Sequence, residues 1–330
     1  MTPAVRQILF DGWRKGAGLW LDFANDRYFQ QGVGSGIGLV SVSRASTGTD
    51  LLPSSPAGAS YLTFAANTPR RSALAGGLLV EEARAQISAF PTAPQNETIT
   101  IGSTGTYTLW VNGSGSAAVA AGTAVGSGFG TATNGTPVVF AISTIGTVGI
   151  TVAGSLQALQ VEAGAFGTSL IPQAATARAA DGVLIAAPPR MGNNITLLAD
   201  GVAFGTNVSS TLWISDGTGV NRAGFFQNTT LSADIVVSSV DVIAVGPPVS
   251  RGARVRSAYS ISGGRQALSV NGGSIVATTS TWTIGPTMTT IDVGGLLHFP
   301  TTKQNGPICQ IAIWPSAVLP DSDLQRISAL

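Results

Sequence analysis

Apolar and polar side chains alternate with a period of two along most of this chain, in short runs closed by Gly, Asn, Pro or Asp. That period belongs to strands with one buried and one open face, not to helices. Leu19, Leu21 and Phe23 alternate with Trp20 and Asp22, and residues 39–43 and 61–65 repeat the pattern. Residues 78–83 form a short apolar run after Gly76-Gly77, which reads as strand. Further strands are predicted at 98–101, 107–111, 138–142 and 148–152. Others follow at 195–198, 211–215, 235–237, 240–245, 255–261, 267–270, 274–277 and 308–314. Gly263-Gly264 and Asn271-Gly272 supply tight turns, because these residues tolerate positive φ. Near the end, Asp321 is placed to cap a short helix, with Asp323 in its first turn. Short strands with frequent turns predict an all-β chain: consecutive β-sandwich or jelly-roll modules with an N-terminal attachment segment. The expected divisions are an attachment region at 1–90, an uncharged sandwich at 91–182, and a further sandwich at 183–330, beginning around the Pro188-Pro189 break.

Composition sharpens this picture. Only 10% of the 330 residues are charged and 42 are glycine, against a charged fraction near one quarter in ordinary domains. Such a chain is too apolar to stay unfolded. Its net charge of +1 gives no general attraction to nucleic acid or to an anionic membrane surface. Between Thr98 and Val161 there is no charged side chain at all. Uncharged sheets lack the usual protection against edge pairing, so identical subunits are expected to cover part of this surface in a symmetric homo-oligomer. Residues 1–18 carry Arg6, Arg14 and Lys15 among Ile8, Leu9, Phe10 and Trp13. This is a short amphipathic arm, suited either to docking on a partner or to packing on its own domain. The start shows no secretion signal, and no apolar run reaches the roughly 18 residues of a membrane span. Cys309, the single cysteine, sits in the apolar run 308–314 and is expected to be a buried small hydrophobe.

Reactive chemistry is sparse. His298, the only histidine, lies between apolar neighbours and reads as structural, and the several Cys or His ligands of a zinc site are missing. Glu81 and Glu82 are adjacent, so on a strand they face opposite ways and do not pair as acid and nucleophile. Asp200, Asp216, Asp234, Asp241 and Asp292 read as turn residues. Calcium needs only oxygen ligands, but no DxDxDG loop supports it, so no cofactor is expected. The glycine repeat at 32–38 feeds a strand pattern rather than a helix, which excludes a phosphate loop. Aromatic and polar groups remain as sugar-binding candidates. They are Trp213, Phe225, Phe226, Tyr259 and Trp282, with Asn221, Arg222, Asn228 and Arg265 as polar partners; for each ring, core packing is the competing role.

Several blocks stand in a telling order. They are Leu21-Asp22-Phe23, Ser43-Arg44-Ala45-Ser46-Thr47-Gly48-Thr49, Asn67-Thr68-Pro69-Arg70 and Gly77-Leu78-Leu79-Val80-Glu81-Glu82-Ala83-Arg84. After them come 159–172, which contains Glu162 and Ser169, and Ala177-Arg178-Ala179-Ala180-Asp181. Together they resemble the head-spike and tail-fibre proteins of tailed bacteriophages and of gene transfer agents, chiefly over the first 180 or so residues. Later, 259–273, the strand ending Gln310-Ile311-Ala312-Ile313-Trp314 and the terminal helix resemble concanavalin A-like (laminin-G-like) domains. The first resemblance implies a non-enzymatic head spike or fibre, trimeric or pentameric. Its N-terminal part would attach to a capsid vertex or spike-base protein, and its modules would adhere to host capsular polysaccharide. It also implies a place on the virion or virus-like particle surface, after synthesis in the bacterial cytoplasm and release by lysis. The competing expectations are a tail-fibre polysaccharide depolymerase and a decoration protein without ligand.

Overall fold

The computed structural model describes residues 16–72, 74–203, 209–227, 230–279, 281–283, 285–295 and 303–330. Residues 1–15 of the expected arm, His298 and Asn228 lie outside them. The chain is all-β, with every strand pair antiparallel. Two large sheets share one core. The first runs in the order Arg27–Gln30, Leu19–Asp22, Gly306–Trp314, Ile195–Val202, Arg254–Ile261, Gln266–Val270, Val276–Thr278; Gly77–Val80 also pairs with Gly306–Trp314 and carries Arg71–Ser72. The second runs Val240–Pro248, Thr230–Val237, Arg222–Gln227, Ser209–Ser215, Thr290–Val293, Gly182–Ile185, Val40–Ser43. Alternation decides what lies between them. Leu19 and Leu21 from one sheet meet Leu212, Ile214 and Phe225 from the other, with Ile195, Leu197 and Ile311 beside them. Asn271 and Gly272 take φ of 50° and 74°, as a tight hairpin turn requires.

The division expected at residue 90 is not a boundary between cores. Leu19, Leu21, Leu78 and Val80 lie in the same cluster as Ile195 and Leu212. Periodicity names the buried face of a strand but not its partner, so this long-range pairing left no local trace. The uncharged unit is therefore an insertion. The chain supplies strands to both sheets, leaves at Arg84–Ala85, and returns at Ala177–Arg178, which pairs with it. The excursion forms one six-stranded sheet with its own core of Leu109, Val111, Phe140, Ile142, Val148 and Leu159. Its two long strands, Gly105–Ala121 and Gly146–Ala163, pair almost throughout, with a bulge at Asn112/Gly113. The first half of Gly105–Ala121 also pairs with Val138–Thr144 and the second half with Thr131–Thr133.

At the other end, the helix Asp321–Ser328 follows Pro320, which occupies the cap position without a side-chain hydrogen bond. Asp321 is thus the first helical residue rather than the cap. Its carboxylate accepts two bonds from Arg265, each 2.8 Å. Leu324 and Ile327 pack with Trp20, Leu198, Ala258 and Trp314 on the outer side of the first sheet.

Where the inserted unit meets the sandwich, three guanidiniums and two carboxylates are sealed from solvent. Arg70 pairs with Glu81 at 2.8 Å and also with Asp181, and Arg44 holds the other Asp181 oxygen at 2.8 Å. Arg178 approaches Glu81 at 3.1 Å and donates to the Ser169 hydroxyl at 2.8 Å. Ser169, at the end of the insertion, donates its N–H to Glu81 Oε1 at 2.7 Å and its hydroxyl to Oε2 at 2.6 Å. The Glu81 N–H donates to Asp181 Oδ2 at 2.9 Å, and the Asp181 N–H to the Glu81 carbonyl at 2.9 Å. Further guanidinium donors end on carbonyls of Thr49, Ala65 and Glu82, while Nε of Arg70 and of Arg178 find no acceptor among the described residues. Burial alone would raise both carboxyl pKa values, but the facing arginines outweigh it and hold them below the ordinary range.

Removing one partner strands the opposite charge, at a cost of about 3–5 kcal/mol. Asp181→Ala is therefore expected to lower the melting temperature by roughly ten degrees or more in a calorimetric scan. Because both carboxyls titrate lower when folded than when unfolded, their stabilisation is present above about pH 4 and lost as acid reaches the folded values. In the variant, the part of this acid sensitivity that comes from Asp181 should disappear.

Candidate functional site

Alternation along Arg222–Gln227 sends Ala223 and Phe225 into the core and leaves Arg222, Gly224 and Phe226 on the outer face of the second sheet. Trp213 stands opposite Gly224 in the neighbouring strand. A Cβ at Gly224 would come within 2.8 Å of the Trp213 ring and 2.1 Å of the Leu212 carbonyl, so the close approach there requires glycine. The indole is stacked on Phe226, with centroids 6.5 Å apart and an interplanar angle of 6°. The Arg222 guanidinium lies 5.5 Å from the indole centroid. Trp213 is only 3% exposed, and its Nε1–H finds no acceptor among the described residues.

On the other side of Gly224 stands Asp234. It is 4% exposed, with Oδ1 lacking a donor among the described residues. Burial first, and then the negative charge of Asp241, push its pKa up to about 7, against the opposing pull of Arg222. Arg222 Nη2 lies 3.9 Å from Asp234 and 3.7 Å from Asp241. Asn221 fixes the adjoining turn: its Nδ2 donates to Asp216 at 2.8 Å, and its Oδ1 accepts the Ser238 N–H at 2.8 Å. The set therefore holds a covered indole donor, a covered carboxyl that exchanges its proton near neutrality, and a guanidinium that reaches the surface and can donate to a hydroxyl. Ile243 and Val245 stand exposed along the neighbouring edge strand.

Of the nine sugar-binding candidates, Asn228 lies outside the described residues and the other eight do not form one site. Trp213, Asn221 and Arg222 are brought together, but the Trp213 ring is covered rather than open for stacking. Phe225 and Tyr259 face each other edge-on inside the core, with centroids 5.9 Å apart, and Trp282 is equally sealed. Aromatic area gains more from burial than from display, which placed these rings inside. Arg265 lies at the other sheet, committed to Asp321.

The reading of aspartates as turn residues fails for four. Asp234, Asp241 and Asp292 sit within strands, and Asp200 lies mid-strand, accepting from Arg254 and Arg256. The signal was present: Leu231, Ala233 and Ile235 alternate with Ser232 and Asp234, which puts a carboxylate on the open face of a strand. Among the described residues, no group of three or more His, Cys, Asp or Glu is placed to hold a metal ion. Cys309 is buried, and burial followed by Asp200 pushes its thiol up to about 11.

No family model matches the chain, and no curated protein matches it. Among solved structures, the chain is similar to the CBM40 of the Ruminococcus gnavus IT-sialidase bound to α2,3-sialyllactose, with 14% identity, 43% of this chain and 85% of that one covered, and a TM-score of 0.37. Domain 4 of AbnA, an extracellular arabinanase from Geobacillus stearothermophilus in complex with arabinotriose, aligns at 16% identity over 44% and 73% of the two chains, with a TM-score of 0.35. Mouse laminin α1 LG4-5 aligns at 10% identity over 73% and 95%, with a TM-score of 0.28. Likeness at this level assigns neither family nor ligand.

Asp234 keeps its proton to higher pH when folded than when unfolded. Its contribution to stability is therefore complete below about pH 4 and lost as pH rises through about 7. Asp234→Asn, which cannot ionise, is expected to remove this decline and to melt several degrees above the parent at pH 8. Melting curves between pH 5 and 8 check it; parallel curves for the two proteins would contradict the assignment.

Proposed function

We propose that this chain is a head-spike or fibre subunit of a virus-like particle, of the kind found in gene transfer agents, which holds recipient cells by their capsular polysaccharide. One observation carries the reading. Short blocks scattered along the sequence, each resembling head-spike and fibre proteins, meet at one place in the fold. Arg44, Arg70, Glu81, Ser169, Arg178 and Asp181 are bonded to one another in the buried cluster. The blocks therefore describe a single structural centre, and the resemblance rests on residues that depend on each other. The concanavalin A-like resemblance of the C-terminal strands agrees with a module built for a carbohydrate ligand.

The uncharged inserted unit supports self-association, as a trimer or pentamer, through faces where Val125, Val139 and Ile145 stand exposed. The N-terminal residues would attach to a capsid vertex or spike-base protein. Sugar hydroxyls would be taken by the half-buried Arg222 and Asn221, which reach the surface beside the covered Trp213 indole. Several weak sites per spike, and several spikes per particle, raise avidity far above any single contact. Neither a membrane nor nucleic acid enters this mechanism, which needs no cofactor.

A depolymerase reading draws on one feature, the two carboxyls Asp234 and Asp241, of which the first has a raised pKa. Both approach the same guanidinium, which an acid and a nucleophile flanking a sugar would have to release.

Light scattering on the purified chain is expected to return a trimer or pentamer, and the intact oligomer to sediment purified capsular polysaccharide without shortening it. Particles lacking the protein should adsorb poorly to encapsulated cells. Falling polysaccharide viscosity would favour the depolymerase, and unimpaired adsorption would overturn the adhesion reading.

A further inference from the structure

One edge of the nine-stranded sheet is Arg27–Gln30, which among the described residues pairs on one side with Leu19–Asp22. Around this edge opens a cleft of about 620 Å³, lined among the described residues by Trp20, Asp26, Arg27, Tyr28, Phe29 and Ser35. It is remote in sequence from the Trp213 face and lies on the other sheet. Its volume falls in the range of small-ligand sites.

The side chains there are of a particular kind. Trp20 and Phe29 stand opposite each other on paired strands, and Phe29 keeps 42% of its surface exposed. Large aromatics normally bury, so an open ring in a concave site is unusual. Tyr28 points to the other face, where its ring meets Phe23 edge-on with centroids 5.8 Å apart. It is only 8% exposed and belongs to the inner core cluster, so Phe29 is the ring that the cleft presents.

The walls are braced. Asp22 accepts from the Asn25 N–H at 3.1 Å and from its amide at 3.0 and 2.9 Å, closing the turn between the two strands. Asp26 is held at φ 58° and sits 3.4 Å from Arg71. Across the cleft, the Gln30 N–H donates to the Gly34 carbonyl at 2.9 Å, which fixes the return that carries Ser35. A site with its walls already set loses little on binding.

We propose that this cleft is a second carbohydrate site, which takes a neutral pyranose unit of the surface polysaccharide. The apolar face of the sugar lies against Phe29, and its hydroxyls are shared among Asp26, Arg27 and Ser35. One carboxylate and one guanidinium side by side disfavour a ligand of either charge and suit a neutral one. Two sites on different sheets let one chain grip two stretches of glycan, which multiplies avidity within a subunit. The inference rests on the adhesion reading and deepens it.

The test uses the full chain with methyl glycosides of glucose, galactose, mannose and N-acetylglucosamine, followed by saturation-transfer NMR. Capsular polysaccharide binding is measured in parallel. At least one glycoside is expected to bind. Phe29→Ala, at an exposed position, should weaken it about tenfold, and Ser35→Ala, which removes one exposed hydroxyl of the lining, about threefold. Both should reduce but not abolish polysaccharide binding. Equal glycoside binding by the parent and both variants would overturn the site. So would the failure of every glycoside to bind while the oligomer still captures capsule, which leaves adhesion standing without this cleft. Loss of capsule capture by the parent protein itself would instead remove the adhesion reading.

Discussion

Five buried ionised groups hold the architecture together. A guanidinium out of water is tolerable only when its donors and charge are met, so Arg44, Arg70 and Arg178 each demand a particular arrangement of chain around them. Glu81 and Asp181 answer for charge, and Ser169 and the surrounding carbonyls take most of the other donors, leaving Nε of Arg70 and of Arg178 without an acceptor among the described residues. These groups come from four stretches of sequence: the strand region after Val40–Ser43, the ribbon Arg71–Ser72 and Gly77–Val80, the end of the insertion, and the return into the sandwich. Apolar packing supplies most of the stability of each core. The cluster supplies register between the cores, because a slip would leave a charge unmatched.

That constraint explains the position of the inserted unit. Between residues 98 and 161 it has no charge with which to orient itself. Its anchorage lies instead at its base, in the ribbon of Arg84–Ala85 with Ala177–Arg178 and in Glu162, which accepts from the N–H and the hydroxyl of Thr168. The charged groups sit at the root and the neutral sheet extends from it.

Strand content was legible because alternation is local. Leu19 with Leu21, the run at 308–314 and the Asn271-Gly272 turn all behave as their sequence implies. Partnership was not legible. Nothing near Leu78 shows that it lies opposite Ile308, more than two hundred residues away, and so the first ninety residues were expected to stand apart from the sandwich they complete. The candidate site failed in a similar way. Trp213 and Arg222 were picked out by residue type and do converge, because Gly224 leaves room for the indole. Phe225 and Tyr259 were picked out by the same criterion and face inward, a consequence of strand parity once the register is fixed. Phe29 drew no attention because its exposure depends on Arg27–Gln30 being a sheet edge, a property of the assembled fold.

If the buried cluster joins the insertion and the sandwich into one body, the two cores should melt together. Differential scanning calorimetry of the full chain decides this most directly. The account predicts a single transition whose calorimetric and van't Hoff enthalpies agree. Two resolved transitions, with the six-stranded sheet unfolding apart from the sandwich, would contradict it.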